Sequence, residues 1–356
     1  MRLSINKRFA IGGDFEFKIE DIKKKDKQET LLNGQKGTWS ASGRSALAKI
    51  LKHLKDIGIQ EILLPSFLCE SILQPVKKLG FRYSFYPVTK SLIAQPEPKP
   101  RTAVLVIHYF GWINPSTCNL RSEQIDGFYL IEDASQAALS NWSFANSENR
   151  FVVLSPRKFG PLPFGGWCNI VTMAEKPSHA IECLAWRSIA ARLAKSTYLT
   201  EHGLPVDNKI EEFYLSAFMA VEAYLNNHPT DSGIPQIILD IMDGLDWAEI
   251  GKRRRANWQY LHELLSKFVE PLMTDLPTDV VPLGYVIRLA YRDKVRKALA
   301  ARRIFCPVHW PLPTEITKSR FPNAVKLSET SLTLPIDQRY GPEDMAFMAK
   351  AVKDVL

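Results

Sequence analysis

The chain has 356 residues, of which 46% are hydrophobic and 24% are charged, with a formal net charge of +8. This is ordinary for a soluble globular protein with one large and one smaller domain, and the charge surplus alone does not identify nucleic acid as a partner. Five cysteines without a CxxC pair argue against a disulfide framework and a structural zinc site. No apolar run is long enough to span a membrane. We therefore expect a cytoplasmic protein without a metal, a membrane or a nucleic-acid partner.

The first part of the chain predicts an arm followed by a large α/β domain. Residues 1–36 are polar, with a charged run over 22–30, and we take them as an N-terminal arm. A helical pattern opens at Ser42 and ends at Gly58, and a second helix covers 70–78. Strands are expected at 61–65, 83–88, 103–108, 128–133, 151–155 and 166–172. Because most of these are continuous apolar runs separated by helices or long connections, they predict a mostly parallel sheet covered on both faces.

The second part of the chain is helical and then mixed. Residues 176–270 contain amphipathic segments over 211–225, 235–247 and 253–268. A strand over 285–291, a helix over 293–303, a strand over 304–308 and a final helix from Gly341-Pro342 follow. We place the large domain at 37–249 and the small α+β domain at 250–356.

Two residues at consecutive strand ends carry the chemistry of this chain. Asp133 ends one apolar strand, and Lys158 follows the next strand in Ser155-Pro-Arg-Lys158. An acid at one strand end and a lysine at the next is the pair that a pyridoxal phosphate site requires, because the lysine forms the Schiff base and the acid holds the pyridinium nitrogen protonated. Each residue alone is more often a turn or loop residue, so the order and spacing carry the prediction.

A third element is the helix start at Ser42-Gly43-Arg44-Ser45. Backbone amides at a helix start point outward and the helix dipole favours an anion, so a phosphate fits there. Small residues at a helix start are more often only a cap, so this element gains its meaning from Asp133 and Lys158.

Short segments over most of the chain resemble the DegT/DnrJ/StrS family of pyridoxal phosphate-dependent aminotransferases, which act mostly on nucleotide-linked keto sugars. The matching segments, in chain order, are Gly12-Gly13, Ser42-Gly-Arg-Ser-Ala-Leu47, Leu64-Pro-Ser-Phe-Leu-Cys69, Ile107-His-Tyr-Phe-Gly111, Ile131-Glu-Asp-Ala-Ser-Gln136, Ser155-Pro-Arg-Lys158, Gly165-Gly166, Pro307-Val-His-Trp-Pro311 and Ser331-Leu-Thr-Leu-Pro-Ile336. The resemblance implies a fold-type I architecture, a homodimer and a ping-pong transamination with glutamate as amino donor, in surface polysaccharide or secondary metabolite synthesis.

The resemblance also implies roles for individual residues. Lys158 would be the Schiff-base lysine and proton shuttle, Asp133 would pair with the pyridinium nitrogen, and Gln136 would lie near the 3-hydroxyl side of the ring. Backbone amides and the Ser45 hydroxyl would hold the phosphate, and the residues expected there are Gly43, Arg44, Ser45 and Ser155. Because attack requires a free amine, we expect the pKa of Lys158 to lie below about 10.4.

The sequence departs from the family pattern at the ring-stacking position and before the Gly-Gly pair. Cys69 falls where the family usually has a stacking aromatic residue, and Phe67 is the nearest aromatic residue and our choice for stacking. Phe164 stands where an acidic residue is usual, and the segment 159–164 is more apolar than a pocket for a charged nucleotide sugar suggests. His309 either lines the acceptor pocket or is structural.

Three alternatives remain at this point. The chain could be a pyridoxal phosphate enzyme for a smaller, non-sugar carbonyl substrate. It could be a non-catalytic relative that serves as a binding or regulatory subunit, although retention of Asp133, Gln136 and Lys158 argues against this. It could be a basic polyanion-binding protein, which only the charge surplus supports.

Overall fold

A computed structural model describes residues 10–22, 31–32, 34–141, 147–200 and 208–356. The charged run from residue 23 to residue 30 lies outside the described residues. The strands are β1 (Ile11–Gly12), β2 (Thr38–Ser40), β3 (Glu61–Pro65), β4 (Arg82–Tyr86), β5 (Ala103–Ile107), β6 (Tyr129–Asp133), β7 (Arg150–Leu154), β8 (Gly166–Cys168), β9 (Glu270–Pro271), β10 (Tyr285–Arg288), β11 (Ile304–Phe305) and β12 (Ser331–Leu334). The helices are α1 (Gly43–Asp56), α2 (Glu70–Lys78), α3 (Ser116–Leu120), α4 (His179–Thr200), α5 (Asn208–Asn227), α6 (Gln236–Gly244), α7 (Trp247–Leu265), α8 (Arg292–Ala301), α9 (Pro322–Thr330) and α10 (Pro342–Lys353).

A seven-stranded sheet forms the centre of the molecule. Its strand order is β2-β8-β7-β6-β5-β3-β4, and the pairings from β7 to β4 are all parallel. Every residue of β5 is buried, which is the reason that this strand reads as an uninterrupted apolar run. Helices pack on the sheet, as the contacts of α1 with β7 and β8 show. The predicted α/β fold with a mostly parallel sheet is confirmed.

One end of this sheet is antiparallel. Strand β8 runs antiparallel to both β7 and β2, and it is shorter than the strand predicted over 166–172. The chain reverses direction between the end of β7 and the start of β8, within the turn that carries Lys158 and the segment after it. As a result the start of α1, which follows β2, lies beside the end of β7.

The helices predicted over 235–247 and 253–268 are α6 and α7, but the break between them lies earlier than expected. Helix α6 ends at Gly244, Leu245 adopts an extended conformation, and α7 begins at Trp247. The Asp246 side chain caps α7 by accepting a hydrogen bond of 2.9 Å from the Glu249 amide. Apolar periodicity continues across the break, because Leu245 and Trp247 are both buried, so the pattern alone does not reveal where the break lies.

A smaller sheet lies in the C-terminal part of the chain. It has the order β12-β10-β9, all antiparallel, and packs with α7, α8 and α10 around a separate hydrophobic cluster. The predicted boundary between residues 249 and 250 falls within α7. The assignment of two domains stays a prediction. In the part of the chain that the structure describes, no helix is both long enough and apolar enough to cross a membrane.

The segment from residue 10 to residue 17 connects distant parts of the fold. Strand β1 pairs in parallel with β11. Arg339 donates hydrogen bonds of 3.1 Å to the carbonyls of Gly13 and Asp14 and one of 2.7 Å to the Glu16 carboxylate. Arg192 of α4 donates a 2.6 Å hydrogen bond to the Phe15 carbonyl. The arm therefore joins α4 to the segment after β12.

A buried charge cluster lies under the carboxyl edge of the central sheet. Glu132 of β6 is fully buried and contacts His108 Nε2 at 2.8 Å, Arg121 Nη2 at 2.8 Å and Arg150. Burial by itself raises the pKa of Glu132, but the hydrogen bonds from His108 and Arg121 and the nearby charges outweigh it and lower this pKa to about 2. His108 is thus a structural histidine that connects β5 to β6.

Replacing Glu132 with alanine leaves buried cationic groups without their carboxylate, and we expect a loss of about 3–5 kcal/mol in the free energy of unfolding. The Glu132→Gln variant also loses part of the pH dependence. The stabilisation from the ionised carboxylate is present above pH 4.5, its unperturbed pKa, and is lost as the pH falls towards 2. Urea unfolding between pH 7 and pH 3 measures both effects. The exposed Glu263 is the control, and equal losses in Glu132→Gln and Glu263→Gln would contradict this account.

Candidate active site

The predicted site residues meet at the carboxyl ends of the parallel strands. One cavity is lined by Gly43, Asp133, Gln136, Ser155 and Lys158, which come from three separate stretches of the chain. Because the carboxyl ends of parallel strands lie at the same edge of a sheet, residues that follow β6 and β7 are brought together there. The structure therefore places an acid, an amide, a hydroxyl and an amine around one enclosed space.

Lys158 is held on a short turn directly after β7. Pro156–Lys158 form one turn of 3₁₀-helix, and the Lys158 amide donates to the Ser155 carbonyl at 3.2 Å. Burial lowers the pKa of the Lys158 amine below its ordinary value of 10.5. Asp133 opposes this shift, whereas Arg157 and Arg44 add to it. The side chain is therefore an amine that loses its proton more readily than a lysine in water.

Asp133 is the last residue of β6 and is fixed by its neighbours. Its carbonyl accepts a hydrogen bond of 3.0 Å from the His108 amide, and its carboxylate accepts one of 2.9 Å from the Ser135 amide. Since side chains alternate along a strand, Asp133 faces away from the direction of Glu132. One strand end thus supplies a buried structural acid and a separate acid that lines the cavity.

Gln136 is oriented by a backbone contact and keeps an unused donor. The Phe110 amide donates to Gln136 Oε1 at 2.8 Å, which leaves the Nε2 group directed elsewhere. That Nε2 is buried and has no hydrogen-bond partner among the residues that the structure describes. Because burying an amide donor without a partner costs about 1–3 kcal/mol, a ligand acceptor in the cavity is the natural partner.

A close backbone approach sets the start of α1 against the cavity. A Cβ atom on Gly166 would lie 2.6 Å from the Gly43 nitrogen and closer still to the Ser42 carbonyl group, so only glycine fits at this position. A Cβ atom on Gly43 would meet the Ser135 hydroxyl at 3.4 Å and the Ser155 hydroxyl at 3.7 Å. Gly43 therefore leaves a small space between two hydroxyl groups and the first amides of a helix, which suits a phosphate.

Ser45 does not contribute its hydroxyl to this space. The Ser45 side chain is fully buried and accepts a hydrogen bond of 2.9 Å from the Ser42 amide, while it donates to the Ser42 carbonyl at 3.0 Å. These two residues form a capping box at the start of α1. The Ser45 hydroxyl is thus engaged in helix capping, and Ser135, which the sequence analysis did not select, lines the cavity. The phosphate contact of Ser45 stays a prediction.

Phe67 is also placed differently from the expectation. It is fully buried, with its ring 5.6 Å from that of Tyr109 and 5.2 Å from that of Trp310. Cys69 and Trp310, rather than Phe67, line the cavity. Phe67 is followed by one more buried residue, Leu68, before the chain reaches the cavity at Cys69, so it supports Trp310 from behind. The Pro307–Pro311 segment was the only sequence signal for Trp310.

His309, in the C-terminal part of the chain, is influenced by the charge of Lys158 but is not among the residues that line the cavity. Its Nδ1 contacts the Thr333 hydroxyl at 2.9 Å, and its ring packs on that of Phe110 at 5.4 Å. Burial and the charge of Lys158 lower the pKa of His309 to about 3. The imidazole is therefore neutral at physiological pH, and it is fixed in position near the amine. A direct role towards a substrate stays a prediction.

The apolar segment after Lys158 belongs to the core and not to a pocket. Phe159, Leu162 and Phe164 are buried in a cluster with Leu245 and Trp247. Its apolar character is therefore explained by packing and says nothing about the polarity of a substrate. Within the described ranges, no group of three or more His, Cys, Asp and Glu residues is arranged to hold a metal ion.

The comparisons with known proteins identify the fold. No protein family model matches the sequence, and no curated protein is similar to it. Among solved structures, Spr1654 from Streptococcus pneumoniae, assigned as a sugar aminotransferase, is 15% identical with a TM-score of 0.65, covering 98% of each chain. The sugar aminotransferase CalS13 from Micromonospora echinospora is 15% identical with a TM-score of 0.61, covering 90% of this chain and 87% of that one. A DegT DnrJ EryC1 StrS aminotransferase from Brucella abortus is 15% identical with a TM-score of 0.55, covering 91% and 86%.

The chain has the sugar aminotransferase fold. The likeness covers nearly the whole chain, so the fold-type I architecture expected from the resemblance is confirmed. Spr1654 has been solved in forms with pyridoxal phosphate and with pyridoxamine phosphate. At these identities the comparisons establish the fold, and the chemistry of this chain is argued from its own cavity.

The Gly166→Ala variant tests the close approach at the start of α1. Since the new methyl group would overlap the Ser42 carbonyl group, either β8 or α1 must move, and we expect a loss of about 1–3 kcal/mol or more in the free energy of unfolding. Chemical denaturation measures this loss. Gly43→Ala is the matched variant, because its methyl group meets only ordinary contacts, and its stability should stay close to that of the wild type.

The amine of Lys158 should respond in opposite directions to its two charged neighbours. Asp133→Asn removes a charge that raises the pKa of Lys158, so this pKa should fall, whereas Arg157→Gln removes a charge that lowers it, so this pKa should rise. Competitive labelling of lysines in the apoprotein across a pH series, read from the Lys158 peptide by mass spectrometry, gives both values. Shifts of the same sign in the two variants would contradict the electrostatic account.

Proposed function

We propose that this protein is a pyridoxal phosphate-dependent aminotransferase that moves an amino group to the keto group of a sugar. The observation that carries the proposal is the convergence of Lys158, Asp133 and Gln136 on one cavity at the start of α1. The fold shared with sugar aminotransferases supports it. When bound, pyridoxal phosphate supplies an electron sink for chemistry at an amine-bearing carbon.

The residues of the cavity fit this cofactor. The unpaired Nε2 of Gln136 offers a donor for a hydroxyl or phenolate oxygen of the ring. Gly43, Ser135 and Ser155 surround a space suited to the phosphate group. Asp133 offers a carboxylate for the ring nitrogen, and Trp310 and Cys69 offer side chains that could limit access of water to the ring. No buried charge in this set conflicts with the cofactor.

Lys158 would act as both nucleophile and proton carrier. Because burial lowers the pKa of its amine, the free base needed for attack on a carbonyl group is more available than in an ordinary lysine. When it is not bound to the cofactor, the same amine could take a proton from one reacting carbon and deliver it to the other, which is the proton movement that amino transfer requires. The neutral His309, fixed by Thr333, would line the acceptor side without adding charge near the amine.

The finer parts of the proposal follow the resemblance. The acceptor would be a nucleotide-linked keto sugar, the donor glutamate and the kinetic order ping-pong, in a homodimer that works in the cytoplasm in polysaccharide or secondary metabolite synthesis. Initial rates with varied glutamate and keto sugar test the kinetic order, since parallel double-reciprocal lines are expected. Sedimentation at varied concentration tests the dimer.

The absorption spectrum tests the cofactor and the lysine together. Wild-type protein with added pyridoxal phosphate should show a visible band that glutamate bleaches, because the donor converts the cofactor to its amine form. Lys158→Ala should lack the band of the lysine-bound cofactor while it keeps its fold, which circular dichroism checks. If saturating cofactor gives no band in the wild-type protein, the aminotransferase proposal fails and the non-catalytic alternative takes its place.

Gly43→Ala tests where the phosphate binds. The methyl group would fill the space between the Ser135 and Ser155 hydroxyl groups, so the dissociation constant of pyridoxal phosphate should rise by about tenfold or more through lost charge-assisted contacts. The dissociation constant of pyridoxal, which lacks the phosphate, should change little. Equal weakening for both compounds would place the phosphate elsewhere.

A further inference from the structure

Two arginines at the cavity share a single carboxylate. Arg44, the second residue of α1, and Arg157, the residue before Lys158, both line the cavity. Arg157 forms an ion pair with Glu222 of α5, and the other carboxylate oxygen of Glu222 lies 3.6 Å from Arg44 Nη2. One negative charge therefore faces two guanidinium groups, and a positive charge is left over beside Lys158.

The two guanidinium groups are not equally satisfied, since Arg157 also donates a hydrogen bond of 3.1 Å to the Pro163 carbonyl while Arg44 lacks a partner at one nitrogen among the described residues. Arg44 Nε is buried and lacks a hydrogen-bond partner in the described part of the chain. The 3.6 Å separation between Arg44 and Glu222 is that of a loose ion pair and not of a good hydrogen bond. Burial lowers the pKa of Arg44, and the charge of the nearby Arg157 lowers it further. Two cations held this close favour the binding of a second anion.

We infer that Arg44 and Arg157 form a subsite for an oxyanion, either a carboxylate or a phosphate group, and that Glu222 is the resident counter-ion which the incoming anion displaces. The exposed fractions of the three side chains support the displacement of Glu222 by an incoming anion. The side chains of Arg44 and Arg157 are 15% and 23% exposed, whereas that of Glu222 is 46% exposed. Glu222 can therefore turn towards water while the arginines remain at the cavity.

The source of the oxyanion rests on the proposed function. It is either the phosphate of the cofactor or a carboxylate of the amino donor, and both present the planar or tetrahedral oxygens that guanidinium groups bind in pairs. A purely structural role for the cluster is the competing explanation, since the Arg157–Glu222 ion pair also joins α5 to the turn that carries Lys158. The two explanations differ in the effect of removing Glu222.

Calorimetric titration of inorganic phosphate and of succinate, a dicarboxylate without an amine, tests the subsite directly. Glu222→Gln removes the competing carboxylate, so the dissociation constant should fall several-fold, whereas Arg157→Gln should raise it about tenfold. Arg157→Lys should retain part of the binding. The controls are Glu249→Gln and Arg253→Gln, an exposed pair on α7 separated by 3.9 Å, which change the net charge equally and should leave both dissociation constants unaltered.

Repeating the titrations on protein loaded with pyridoxal phosphate separates the two sources. If the cofactor phosphate occupies the subsite, loading abolishes the arginine-dependent binding, and if the subsite serves the donor carboxylate, succinate still binds to the loaded protein. The inference is overturned if Glu222→Gln and Arg157→Gln both weaken binding, or if neither changes it, in variants whose thermal unfolding matches the wild type. The apoprotein titrations need no bound cofactor, so their failure is distinct from the absence of a cofactor band.

Discussion

The contact between Gly166 and the Ser42–Gly43 backbone is the constraint on which the site depends. Strand β8 lies between β7 and β2, so it sets the distance between the end of β7 and the start of α1. Without a side chain at Gly166 the two backbones touch, and the helix start reaches the hydroxyl of Ser155. A cavity with an amine on one wall and helix amides on another exists because these two backbones meet.

Much of the fold could be predicted because its central strands are locally encoded. Strands β3, β5 and β6 are apolar runs bounded by polar residues, and the predicted bounds agree with the observed ones within a residue or so. The convergence of Asp133 and Lys158 follows from the rule that parallel strands end at one edge. Local sequence could not supply the position of the helix break at Leu245 or the reversal at β8, since both depend on packing partners far along the chain.

Local sequence was also insufficient to predict every contact of the site. Ser45 has the right residue type for a phosphate contact, but its hydroxyl takes part in the capping box with Ser42. A partner three residues away is always within reach of such a side chain, so local capping is favoured. Trp310 and Glu222 reach the cavity and its arginines from distant parts of the chain, and only Trp310 lies in a segment that the sequence marks. The predicted residues at the strand ends, Asp133 and Lys158, line the cavity, whereas Ser135 and Glu222 were not selected from the sequence.

The arm held by Arg339 is connected through hydrogen bonds to the segment that follows Lys158. Gly13, Asp14 and Glu16 satisfy a guanidinium group that also binds the buried Asp337 at 2.6 Å. The neighbouring Gln338 donates a 2.8 Å hydrogen bond to the carbonyl of Phe159, the residue after the lysine. A protease cut that released the arm would therefore affect the turn that carries Lys158, because Arg339 and Gln338 are adjacent in the chain. Trimming one end of the molecule is thus expected to loosen the geometry at its centre.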